Sequence, residues 1–156
     1  GYQWFPITNM DPRLMEQGAR HAAQSVDRFL DRELERVGLD ESRLALVGFS
    51  QGTMMSLFVG LRRARSPAAI LGYSGVLVAA QKLKEEMRSK PPILLVHGDR
   101  DPMIPVRAAE GLAAAGHGAQ WHVSFGTPHS IAQDGLDLGG AFLANYLKKQ
   151  RIMVAT

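Results

Sequence analysis

Cysteine is absent from the 156 residues. That excludes disulfides, thiolate metal sites and a cysteine nucleophile, and it fits a reducing compartment, so the cytoplasm is the expected location. Long apolar runs are missing too: no stretch approaches the roughly 20 residues that a membrane-spanning helix needs. No linker divides the chain, so a single domain is expected over residues 1–156, long enough to bury close to roughly 70% of its unfolded surface. Charge of one sign is in small excess, +3 formally. Two cationic clusters stand out, Arg62, Arg63 and Arg65 after a helix-like run and Lys148, Lys149 and Arg151 near the carboxyl end. Neither has aromatic residues interleaved for base stacking, so both are read as water-facing cations that complement helix dipoles, with no nucleic-acid partner. Gly1 opens the chain with neither an initiator methionine nor a charged-then-apolar leader, and the expectation is a cut end.

What is present is ordinary for a soluble globular protein, with 46% hydrophobic and 21% charged residues. The order of the patterns is more informative. Asp11-Pro12 offers a capping acceptor and a first-turn proline, and from Leu14 to Val37 apolar residues keep a 3.6-residue stripe that stops at Gly38. Thereafter strand-like and helix-like runs alternate. Strands are expected near Leu44 to Phe49, Ala69 to Tyr73, Ile93 to His97 and Trp121 to Phe125, and helices near Gly52 to Arg63, Ala80 to Arg88, Val106 to Ala115 and Ile131 to Lys149. Such alternation implies an α/β fold with a mainly parallel sheet of about four strands. Met54 and Met55, with Leu57, Phe58 and Leu61, fall at helical spacing and read as core.

Ligands of open parallel sheets bind beyond the carboxyl ends of the strands, so the strand ends are where chemistry is sought. The first ends in Gly48-Phe49-Ser50-Gln51-Gly52. This G-x-S-x-G pentapeptide, set between strand and helix, allows a sharp turn that exposes the serine hydroxyl near the first helical N–H groups. The second ends at Tyr73-Ser74-Gly75, the third at His97-Gly98-Asp99-Arg100-Asp101-Pro102, and the fourth leads to Gly126-Thr127-Pro128-His129. A hydroxyl, a carboxylate and an imidazole thus occur at three strand ends in the order Ser, Asp, His, the order of α/β-hydrolase triads. His129 is the candidate base. Of two carboxylates Asp101 is preferred as its orienting acid, because Pro102 ends a turn that directs it back, whereas Asp99 is placed to bond backbone N–H groups within the turn; the bland alternative is that both merely cap the loop. His97 is read as a buried strand-end residue, since no second ligand-type residue pairs with it in spacing; no metal and no cofactor are expected. His21, His117 and His122 read as structural or solvated.

These segments, with His-Gly-Asp-Arg-Asp-Pro-Met-Ile-Pro at 97–105 and Thr-Pro-His-Ser-Ile at 127–131, resemble the phospholipase/carboxylesterase family, which includes the acyl-protein thioesterases. The resemblance runs from about Trp4 to about Tyr146. It implies an α/β-hydrolase-type three-layer sandwich and a serine carboxylesterase or thioesterase acting on a small-molecule ester, with Ser50 as nucleophile, Asp101 as orienting acid, His129 as base and the Gln51 backbone N–H as one oxyanion donor. Trp4 and Phe5, in a segment like the family's pocket cover, with Tyr73 and Met103, are candidate pocket residues. A dienelactone-hydrolase-like reading is weaker, since those enzymes carry cysteine at this turn.

Two departures matter. Members of the family have further strands before the covering segment, one of which leads into a His-Gly-type loop that supplies the second oxyanion donor, and nothing here corresponds to it. Thr53 stands where the family often has glycine. The strand at Leu44 to Phe49 would lie in mid-sheet in the family and is expected here to be an uncovered edge. Such an edge recruits a partner or a second copy, so a non-catalytic or weakly active half-domain that pairs through this edge is the alternative expectation.

Overall fold

Asp11 begins the first helix as its sequence foretells: Oδ1 accepts from the Arg13 N–H at 2.9 Å and Pro12 takes the first turn of α1, Pro12–Val37. Gly38, at φ 67°, ends it in the left-handed conformation, and the N–H groups of Gly38 and Leu39 satisfy the Glu35 and Leu34 carbonyls. The buried stripe of α1 is rich in small residues, Ala19, Ala22 and Ala23 between Met15 and Leu30, which lets its backbone approach the next helix closely. The structure, a computed structural model, describes residues 2–6, 10–102 and 105–153.

After a 3-10 turn at Glu41–Arg43 come β1 (Ala45–Phe49), α2 (Gln51–Arg62), β2 (Ala69–Tyr73), α3 (Ala80–Glu86), β3 (Ile93–Gly98), α4 (Pro105–Ala114), β4 (Gln120–Ser124) and α5 (Gln133–Met153). The four strands form one parallel sheet in the order β1-β2-β3-β4. Side-chain alternation splits its two faces. Leu46, Ile70, Ile93 and Leu95 join α1 to α4 in the larger core, and Leu71, Tyr73, Leu94 and Val96 meet Phe142 of α5 in the smaller. Three layers result, and all four strands deliver their carboxyl ends to one rim.

β1 is the edge strand, as expected. On the α5 side, Val47 is 54% exposed and Phe49 41% exposed, and they border an apolar groove of about 390 Å³ with Leu71, Ile131, Leu136 and Leu143. Among the described residues no helix is long and apolar enough to cross a membrane.

The cationic cluster after α2 departs from the expectation that it faces water. Arg62 stacks over Phe58 at 3.8 Å and bonds Glu86, while Arg63, its side chain only 8% exposed, bonds Asp27 and Asp31 of α1 and Glu41. Acidic residues on α1 and α3 that are remote in sequence supply partners, so these guanidinium groups clamp helix to helix; only Arg65 of the three is exposed. The side chains of Lys148, Lys149 and Arg151 lie outside the described residues.

Glu86 receives Arg20 as well, through two bonds of 2.9 Å. Those from Arg20, then from Arg62, hold its carboxyl below its ordinary value. Because the folded-state value is the lower one, this stabilisation is complete above the usual carboxylate range and disappears as pH falls through the folded-state value. Glu86→Gln is expected to cost about 1 kcal/mol at neutral pH and much less near about pH 3. Urea unfolding of both proteins at the two pH values checks this, and a difference independent of pH would contradict it.

Candidate active site

Ser50 joins β1 to α2 at φ 55° and ψ −114°, a conformation that costs a non-glycine residue about 1–3 kcal/mol. Its surroundings impose it. The Ser50 N–H donates to the Tyr73 carbonyl at 2.8 Å, and the Thr53 hydroxyl donates to the same oxygen at 2.7 Å. The N–H groups of Thr53 and Met54 return to the Ser50 carbonyl at 3.0 and 3.2 Å. Gly48 makes the turn sterically feasible, since a Cβ there would stand 2.2 Å from the Gly52 carbonyl carbon. The second glycine has open space where its Cβ would be, so close approach requires only the first.

The other two strand ends are knitted to each other. Asp99 N–H donates to the Ser124 carbonyl at 3.0 Å and Arg100 N–H to the Thr127 carbonyl at 2.9 Å. Asp99 Oδ1 accepts from the Thr127 N–H at 3.1 Å. The expectation that Asp99 bonds within its own turn is thereby corrected: the donor comes from the opposing loop, brought beside it by the parallel pairing of the third and fourth strands. Gly98 lets the loops cross, because a Cβ there would fall 2.1 Å from the Thr127 carbonyl oxygen.

The outcome is a chain of three side chains. His129 Nδ1 lies 2.6 Å from Asp101 Oδ2 and His129 Nε2 lies 3.0 Å from Ser50 Oγ. An ionised carboxylate only accepts, so Nδ1 carries the proton and Nε2 accepts from the serine hydroxyl. The Asp101 side chain is fully shut off from water, while that of His129 is 39% exposed and tilts against the Phe49 ring at 4.9 Å. His97 is buried at the end of β3, with Nε2 3.6 Å from Asp101 Oδ2. The remaining histidines stand apart: His21 is exposed on α1, His117 is buried against the Pro91 carbonyl, and His122 pairs with Asp134.

A cavity of about 650 Å³ is lined chiefly by Met10, Met15, Val76, Leu77, Val78 and Pro102, with Arg107 also on its wall. Val76 follows Gly75, whose Cβ position is 2.9 Å from the Ser50 carbonyl oxygen, and Pro102 follows Asp101, so the cavity is walled in part by the residues that come next in the chain after two of the strand ends. Pocket candidates from the sequence fared unevenly. Phe5 is buried against Gly18 of α1, and Trp4 is half exposed beside Gln51. Tyr73 is corrected outright: strand alternation turns its ring to the α5 face, where its hydroxyl donates to the Gly135 carbonyl at 2.9 Å and it borders the groove under β1. Met103 lies outside the described residues. Sequence reasoning missed Val76-Leu77-Val78, although an apolar run directly after a strand end, where a polar loop is usual, was a usable signal.

The sequence pattern of phospholipase/carboxylesterase proteins matches residues 1–146. The chain belongs to that family. Acyl-protein thioesterase 1 of Gibberella zeae is 29% identical over 140 residues, 84% of this chain and 59% of that protein. The enzyme of the same name from Schizosaccharomyces pombe is 36% identical over 93 residues, 58% of this chain and 41% of its own. The chain thus spans about three fifths or less of these curated relatives. Among solved structures, esterase PE8 superposes with a TM-score of 0.87 at 42% identity, covering 94% of this chain and 71% of that one. Arabidopsis thaliana SOBER1, at 0.82 and 22% identity over 93% of this chain and 74% of its own, shares the fold.

Gly98→Ala tests whether the loop crossing sets the cluster. The Nδ1 proton of His129 is expected as a far-downfield proton resonance in the parent chain and absent in the variant, with the circular dichroism of the fold retained. Persistence of that resonance in Gly98→Ala would show that the crossing is not what aligns the ring.

Proposed function

We propose that the chain is a serine hydrolase that cleaves carboxylic esters or thioesters of small molecules through an acyl-enzyme. The observation that supports this best is the continuous relay from buried Asp101 through His129 to Ser50. His129 takes the hydroxyl proton as Ser50 Oγ attacks the acyl carbon, and returns it to the departing alcohol or thiol; water then repeats the cycle on the acyl-serine. Asp101 holds the ring in the tautomer that leaves Nε2 free to accept and stabilises the imidazolium. Gln51 opens α2, so its N–H has no acceptor within the helix and is available to the developing oxyanion. The apolar cavity suits a short to medium acyl chain. The relatives' names, esterase and acyl-protein thioesterase, agree with this chemistry, and the cysteine-free composition favours a cytoplasmic setting.

The exposed edge at β1 and its groove support a second reading, in which this chain is completed there by further polypeptide of the same fold or by a second copy. Sedimentation of the 156-residue chain at rising concentration should then show association that Val47→Lys suppresses; a monomer at every concentration would count against self-pairing.

For the esterase reading, hydrolysis of p-nitrophenyl butyrate should be detectable in the parent chain and abolished in Ser50→Ala. Asp101→Asn should lower kcat by about 10⁴-fold with KM little changed. Equal hydrolysis by parent and Ser50→Ala would refute the assignment.

A further inference from the structure

The Gln51 side chain has a task separate from its backbone. Its Nε2 donates to the Phe5 carbonyl at 2.8 Å and its Oε1 accepts from the Trp4 N–H at 2.5 Å. One primary amide therefore meets both polar groups flanking the Trp4-Phe5 peptide, across a bend in the backbone. Beyond it the Phe5 ring, 4% exposed, is seated on Gly18, whose Cβ position is 2.7 Å from the ring. At its far end the same segment is fixed where Asp11 caps α1, next to Met10 and Pro12 on the wall of the 650 Å³ cavity. Residues 4 and 5 are thus held by the residue after Ser50, and residues 10 and 12, a few positions further along the chain, stand on that wall. Side chains shorter than glutamine, or lacking either an acceptor or a donor, cannot make both bonds.

We propose that Gln51 is a specificity-positioning residue: its amide pins the Trp4-Phe5 backbone and thereby sets the wall against which the distal part of an acyl chain packs. This rests on the esterase reading. A butyryl group ends near Ser50 and gains little from the wall, whereas a longer chain passes Met10. Loss of the pin therefore acts on long substrates more than on short ones, and it does so through KM.

The test compares Gln51→Met, which keeps the length and removes both bonds, with Gln51→Glu, which keeps the acceptor for Trp4 and loses the donor to Phe5. In Gln51→Met the preference for p-nitrophenyl decanoate over butyrate in kcat/KM is expected to fall about tenfold, mostly in KM, with Gln51→Glu intermediate. Amide exchange at Trp4 should quicken about tenfold in Gln51→Met while β2 and β3 stay protected. An unchanged preference, equal losses on both substrates, or unchanged Trp4 exchange would each overturn the proposal. Should Gln51→Met fail to fold, the parent chain decides: a Trp4 amide exchanging as fast as that of exposed Tyr2 overturns it. Absence of any ester hydrolysis by the parent refutes the esterase reading instead, and the exchange data then judge the pin by themselves.

Discussion

A buried carboxylate, Asp101, bonded to the His129 imidazole organises this molecule. Asp101 is closed to water, and an unpaired charge there would cost several kcal/mol, so its bond to His129 Nδ1 is demanded by burial as much as by chemistry. That bond decides which ring nitrogen faces Ser50. The two loops are held to this arrangement by the backbone bonds of Asp99 and Arg100 and by the Asp99 side chain, and they cross only because Gly98 has no side chain. A strained serine is then presented by a turn that four hydrogen bonds fix in place. Parallel strands explain why all this happens at one rim: each carboxyl end emerges on the same side, so residues 28 and 79 positions apart in the chain become neighbours.

Much of the fold was legible because its signals are local. The cap at Asp11, the stop at Gly38 and the periods of 3.6 and 2 require no knowledge of the rest of the chain, and the helices and strands fall within a few residues of where they were expected. The Ser-Asp-His order was legible for a different reason, since parallel topology converts strand ends into one site. What escaped was set by pairing across space. Arg62 and Arg63 looked like water-facing cations until α1 and α3 brought carboxylates to them. Asp99 bonds a loop that no local rule connects to it. Tyr73 ends a strand at the rim, yet the alternation of that strand sends its ring to the opposite face.

The sheet edge ties the fold to the chemistry. β1 carries Ser50 at its end and offers Val47 and Phe49 to solvent along the α5 side, and Phe49 is also the ring against which His129 leans. Whatever covers that groove therefore touches the residue that packs on His129.

The most direct measurement is covalent capture of the serine. After treatment with an alkyl fluorophosphonate, peptide mapping by mass spectrometry should find a single adduct, on Ser50, formed only in folded protein and lost when His129 is replaced by alanine. An adduct on another residue, or no adduct in folded protein that retains the His129 to Asp101 hydrogen bond, would contradict the account.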